Sequence, residues 1–189
     1  MKKMSQTSWL VVAACLLLVL QGCEKETTEL VSVPAVQEKQ QSETFAIIVP
    51  GGGTYSRAIS TDAEQTQLFF DQGLRFAWGF FFPESIASYQ QASLADPTHP
   101  MPYWGMAHAM GPNPNSRYSR MPDDPKGEGL KAITKAKDLI GRANPLEAQL
   151  INALFVLYDK ESIADDNDRD SAYLAAMREI NRQHPEDSD

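Results

Sequence analysis

Two stretches of this chain, 88 residues apart, carry the same internal gaps. Ser85, Tyr89, Ala92 and Pro97 stand at steps of four, three and five, and so do Tyr173, Met177, Ile180 and Pro185. Steps of three and four place side chains on one face of a helix. A proline shortly after ends that helix, because it has no N–H to donate. A second pattern also recurs: 34 residues after Phe69, Gly73 and Phe76 stand Tyr103, Ala107 and Met110. Such recurrence predicts an array of helix pairs, in which each pair buries its apolar face on the next.

The first unit shows the physical roles most clearly. Thr61 and Glu64 have capping-box spacing, which predicts a helix from about Asp62. Phe69, Gly73, Phe76 and Phe80 form its apolar face, and Pro83 suits the first turn of a second helix. Gly73 is expected where the two helices approach closely, Ser85 at their crossing, and Tyr89 in the space between units. The run Phe69-x2-Gln72-Gly73-x2-Phe76, then Ser85-x3-Tyr89, then Pro97, follows the spacing of the tetratricopeptide repeat, with Gln72 for the usual leucine and Ser85 for the usual alanine. "HPMPYWGMAHAM" opens a second unit. Its partner helix, 126–141, is delayed by an insert of about 14 residues, Gly111 to Asp124, relative to the standard period. Asn144-Pro145 opens a third unit, closed by a helix over about 168–183. The predicted fold class is all-α: a tetratricopeptide-type helical-hairpin solenoid of about three repeats over residues 61–185.

What precedes the array is of another kind. Lys2 and Lys3 form a basic start, and Trp9 to Leu20 is an unbroken apolar run. The run is shorter than the roughly 20 residues a membrane-spanning helix needs, and it has the length of a signal-peptide core. "LQGC", Leu20 to Cys23, resembles the bacterial lipobox. The expectation is a lipoprotein signal peptide over 1–22, lipid on Cys23, and a flexible tether over 23–60 that includes a short extended segment, Phe45 to Val49, lying against the first helix. The other cysteine, Cys15, lies inside the apolar run, so no disulfide and no cysteine-based metal site is expected. By likeness to lipoprotein sorting, Glu24 favours the outer membrane of a diderm envelope, facing the periplasm. Residues 1–22 hold two lysines and no acid, so their removal takes the net charge from −8 to −10. A surface of that sign repels nucleic-acid phosphates and argues against a nucleic-acid partner.

"ISTDAEQTQLFFDQGLRFAWGF", "MPYWGMAHAMGPN" and "AYLAAMREI" resemble a group of bacterial envelope tetratricopeptide-repeat lipoproteins of unassigned activity. The resemblance covers about Tyr55 to Asp187. It implies further repeats beyond the third unit, so the array is expected to be truncated here. Members of the group carry an Asn-His pair near Phe81-Phe82 and a histidine near Ser56. Neither is present in this chain, so the resemblance does not carry over a histidine-dependent activity of those relatives.

Motifs that carry chemistry are sparse. His99, His108 and His184 are far apart and show no HExxH spacing. Asp165 to Asp170, "DDNDRD", lacks the glycine and closing glutamate of a calcium loop and reads as acids at a helix start. "PGGG" lacks the lysine of a phosphate loop, and no GxSxG elbow occurs. No enzyme, cofactor or metal is therefore expected. The insert "GPNPNSRYSRMPDDP" is the anomaly, because it places Asn113, Asn115, Arg117, Tyr118 and Arg120 in an otherwise acidic chain. Arginine and tyrosine are residue types that dominate binding energy at interfaces. With Tyr103, Trp104 and His108 they are the candidate partner-binding residues. Two readings follow. One is a lipid-anchored scaffold that binds a protein or peptide in the cell envelope. The other is a small-ligand or metal-binding accessory module built from the insert 111–124 and the Tyr103–Met110 helix. In addition, the last helix is expected to leave Tyr173, Ala176, Met177 and Ile180 uncovered, a face suited to self-association.

Overall fold

The computed structural model describes residues 44–111 and 121–187. The described residues hold six α-helices and no strand. They are α1 (Glu64–Trp78), α2 (Phe82–Ala95), α3 (Pro100–Met110), α4 (Pro125–Asp138), α5 (Pro145–Tyr158) and α6 (Asp166–Gln183), with a short 3-10 turn, Ile140–Arg142, before α5.

Local chemistry explains most of the boundaries. Proline occupies the first turn of α2, α3, α4 and α5, where its missing N–H has no helical partner to lose. Asn144 caps α5 in a full capping box with Glu147, each side chain accepting the other's backbone N–H. Asp165 caps α6 by accepting from the N–H groups of Asn167 and Asp168. The helix α1 starts later than its sequence suggests. Thr61 does not cap it: its hydroxyl accepts from Ala63 N–H at 3.2 Å and donates to the Asp96 carboxylate at 3.1 Å, so the helix begins at Glu64.

Each helix packs mainly on its chain neighbours, and α1, α3 and α5 also touch in that order. One core runs through all six, from Phe70 and Leu74 through Met101, Ala107 and Ile133 to Ile151, Leu154 and Ile180. Tyr89, fully buried, stands at the junction of the first three helices.

Residues 45–60 are held against the helices by hydrogen bonds that reach beyond the short extended segment, Phe45 to Val49, expected there. Gln72 accepts from Val49 N–H at 2.8 Å and donates to the Ile47 carbonyl at 3.0 Å, so its side-chain amide pairs with the segment much as a strand backbone would. Gln91 accepts from Phe45 N–H. Gly51 and Gly53 sit at φ +87°, a conformation that favours glycine. Farther on, buried Asp71 accepts from the Ser56 hydroxyl, Arg57 N–H and the Gln67 amide, and Ile59 enters the core.

The C-terminal stripe is also not bare. Tyr173, Ala176 and Met177 pack half-buried against the core and Ile180 is buried, because α6 turns this face onto α5. Leu174 is the large apolar residue that α6 leaves exposed.

Candidate functional site

An open cleft of about 690 Å³ lies where the start of α4, the end of α5 and the start of α6 meet. Its apolar lining comes from Leu130, Phe155 and Leu157, with the Tyr158 ring between them. Tyr158 is held firmly. Its hydroxyl donates to the Ala107 carbonyl at 2.6 Å, and a Cβ on Gly129 would lie 2.4 Å from that oxygen. Burial raises the Tyr158 pKa, so the phenol stays protonated.

Charged groups surround this lining. Asp124, Asp159, Glu161, Asp166 and Asp170 face Lys126, Lys160 and Arg169, so acids prevail five to three. Arg169 is 3% exposed and fully engaged: it donates to the Ile163 and Ala164 carbonyls and pairs with Asp166. It fixes the loop before α6 and thereby the cleft wall. Hydrogen bonds from Ser162 hold the Asp159 carboxyl below its ordinary pKa, more than offsetting burial. Lys137 lies over the Phe155 ring at 4.6 Å. No group of three or more His, Cys, Asp or Glu able to hold a metal occurs among the described residues.

Among the described sequence-predicted binding residues, Tyr103, Trp104 and His108 do not line this cleft. Trp104 is nearly buried and donates from Nε1 to the Leu150 carbonyl at 3.2 Å. His108 stacks on it with ring centroids 5.2 Å apart. The ring is half-buried overall, but its Nδ1 is enclosed without a hydrogen-bond partner, and burial lowers its pKa. Tyr103 donates to the Pro97 carbonyl at 3.0 Å, and burial raises its pKa. All three therefore act in packing the α3 face, outside the cleft lining. Asn113, Asn115, Arg117, Tyr118 and Arg120 lie outside the described residues, as does Cys23. One described flank of the insert borders the cleft, since Asp124 lines it.

Most repeat-signature positions are packed. Phe69, Gly73, Ser85, Ala92, Ala107 and Met110 are buried, Phe76 is half-buried, and Pro97 and Pro185 are exposed. Ser85 donates from its hydroxyl to the Gly73 carbonyl at 2.8 Å, which gives a reason for serine where alanine is usual.

A polar cluster was not visible in the sequence. Buried Glu147 accepts from both the N–H and the hydroxyl of Ser60, and the same hydroxyl lies 3.2 Å from His99 Nε2. Serine, histidine and glutamate meet here, but in the wrong order for nucleophilic catalysis. His99 Nδ1 accepts from Met101 N–H, so Nε2 carries the ring proton and donates to Ser60, while Ser60 gives its own proton to Glu147. His99 has no free lone pair with which to activate the hydroxyl. Desolvation lowers the His99 pKa despite the opposing pull of Glu147. The cluster ties the segment before α1 to the starts of α3 and α5.

No family model, no curated protein and no solved structure matches this chain.

Proposed function

We propose that this protein is a lipid-anchored scaffold of the bacterial cell envelope, built as a tetratricopeptide-type array, which binds a protein or peptide partner in the α4–α5–α6 cleft. The observation that carries the reading is the cleft itself: an open groove with an apolar lining, a mostly acidic surround and a wall fixed by Arg169. A groove of this kind suits an apolar segment with flanking basic residues. The array reading is supported by helix packing in chain order, by the successive contacts of α1, α3 and α5, and by the close approach of Tyr89 to two glycines. The anchor reading is supported by the basic start, the short apolar run and the Leu-Gln-Gly-Cys ending.

Leu130, 41% exposed in the cleft, and Phe155 are the residues to change. The double variant Leu130→Glu and Phe155→Ala should abolish capture of the envelope partner while leaving the helical circular dichroism unchanged. Capture at the parental level would remove the cleft from the account. For the anchor, Cys23→Ser should eliminate the diacylglyceryl mass from the N-terminal peptide of the processed chain. An unmodified Cys23 in the parent would refute lipidation.

A further inference from the structure

The turn between α1 and α2 is built against the usual rules. It closes α1 in a Schellman arrangement: Phe81 N–H donates to the Phe76 carbonyl at 2.9 Å, Phe80 N–H donates to the Ala77 carbonyl at 3.0 Å, and the Phe76 and Phe81 rings meet edge-on at 6.3 Å. The residue in the left-handed position of such a cap is normally glycine. Here it is Phe80, at φ +63°, and it is the described non-glycine residue with positive φ. The strain brings no burial, since Phe80 is 57% exposed, and Trp78 and Phe81 beside it are equally bare. A strained backbone carrying an exposed aromatic points to a role outside the fold.

The surroundings extend the observation. Eleven large apolar side chains are exposed among the described residues, and seven of them come from Ile47 to Tyr55 and Trp78 to Phe81. The two segments adjoin, with Val49 and Gly52 lining the same small hollow as Gly79 and Phe81. Residues 44–60 and 75–83 contain Arg57 and Arg75 and no acid, in a chain of 25 acids and net charge −8. The exposed tip itself, Ile47–Val49 and Trp78–Phe81, is apolar and aromatic and carries no acid, while Asp71 and Asp187 are bonded to Ser56 and Arg57 and Glu84 stands in the first turn of α2.

We infer that the Trp78–Phe81 turn, with the adjoining segment Ile47–Val49, dips into the headgroup region of a lipid bilayer. Tryptophan and other aromatics favour that interface. Exposed aromatic side chains need no complementary pocket in a fluid phase, whereas a protein partner would have to supply one. No acid lies within Ile47–Val49 or Trp78–Phe81, so the residues that would enter the headgroup layer add no repulsion from anionic headgroups. The inference goes with the lipid anchor proposed above: Phe45 stands 22 positions after Cys23, a reach of at most roughly 75 Å, which holds the domain near the membrane and raises the tip's effective concentration there.

The full chain, reconstituted in phosphatidylethanolamine–phosphatidylglycerol vesicles with brominated acyl chains, tests this. The signal is the difference between the parent and Trp78→Phe, which isolates Trp78 emission. Bromolipid should quench that emission strongly, and Phe80→Gly should weaken the quenching without lowering the urea midpoint, since glycine relieves the left-handed strain. Vesicle-bound protein whose Trp78 is not quenched would overturn the tip and leave the anchor standing. Trp78 shielded from aqueous acrylamide yet untouched by bromolipid would overturn it in favour of a protein cover. A chain that fails to float with vesicles at all would overturn anchor and tip together.

Discussion

The Tyr89 ring lies directly over the bare backbone of Gly73: a Cβ on that glycine would stand 2.6 Å from Tyr89 Cε1, closer than real side chains pack. The same ring meets Gly105 of α3, where a Cβ would stand 2.5 Å away. One tyrosine on α2 thus holds α1 and α3 together, and it can do so only because both partners lack a side chain.

Gly73→Ala and Gly105→Ala should each destabilise the fold by about 1–3 kcal/mol through overpacking, read as a fall in the urea midpoint. In a Tyr89→Leu background the cost of either change should shrink, because the ring edge that a Cβ would strike is gone. Strictly additive costs would show that the ring does not set the spacing of these helices.

Arg57 and Asp187 form a two-pronged ion pair at 2.7 and 2.8 Å, with only 12% and 19% of their side chains exposed. It closes the segment before α1 onto the chain end after α6. Asp187→Asn should cost about 1–2 kcal/mol, more than a surface pair and less than a buried one. Hydrogen exchange should rise at both Ser56–Ser60 and His184–Asp187. A rise on one side alone would mean that the pair is not a clasp.

Acid should loosen the protein through its two enclosed imidazoles. Burial lowers the pKa of both His99 and His108 in the folded state. The unfolded chain, with histidines near the ordinary value of about 6.5, therefore binds protons first as pH falls. Stability should be intact above about pH 7 and decline as pH drops below about 6.5. His108, whose Nδ1 has no partner, offers the cleaner test. In His108→Leu the loss of urea midpoint between pH 7.5 and pH 5.5 should be smaller than in the parent, and an equal loss would clear His108 of the effect.

The helical character of the chain was legible because it is encoded locally. Phe69, Gly73, Tyr89 and Ala92 repeat at helical steps, and prolines mark four of the six helix starts. The departures from pattern at Gln72 and Ser85 became intelligible only in three dimensions, since Gln72 pairs with Ile47 and Val49 and Ser85 bonds to Gly73. Contacts across long separations left no local trace. Ser60, His99 and Glu147 are scattered singly along the sequence, and nothing in their neighbourhoods announces that they meet. The cleft was hidden for the same reason, since three helix ends form it. The only sequence clue to its place was the delayed start of α4, which set Asp124 on its border. Trp104 and His108 misled in the opposite sense, because an aromatic-rich helix reads alike whether it faces a ligand or a neighbouring helix.

The scaffold account stands or falls on whether a partner occupies the cleft in the cell. A photo-crosslinking phenylalanine analogue placed at Leu130 or Phe155 reports on the cleft, and one at Leu94, 47% exposed and absent from its lining, serves as reference. On irradiation of intact cells the account predicts one discrete adduct, of the same added mass from both cleft positions and absent from Leu94. No adduct from either cleft position, or the same adduct from Leu94, would contradict it.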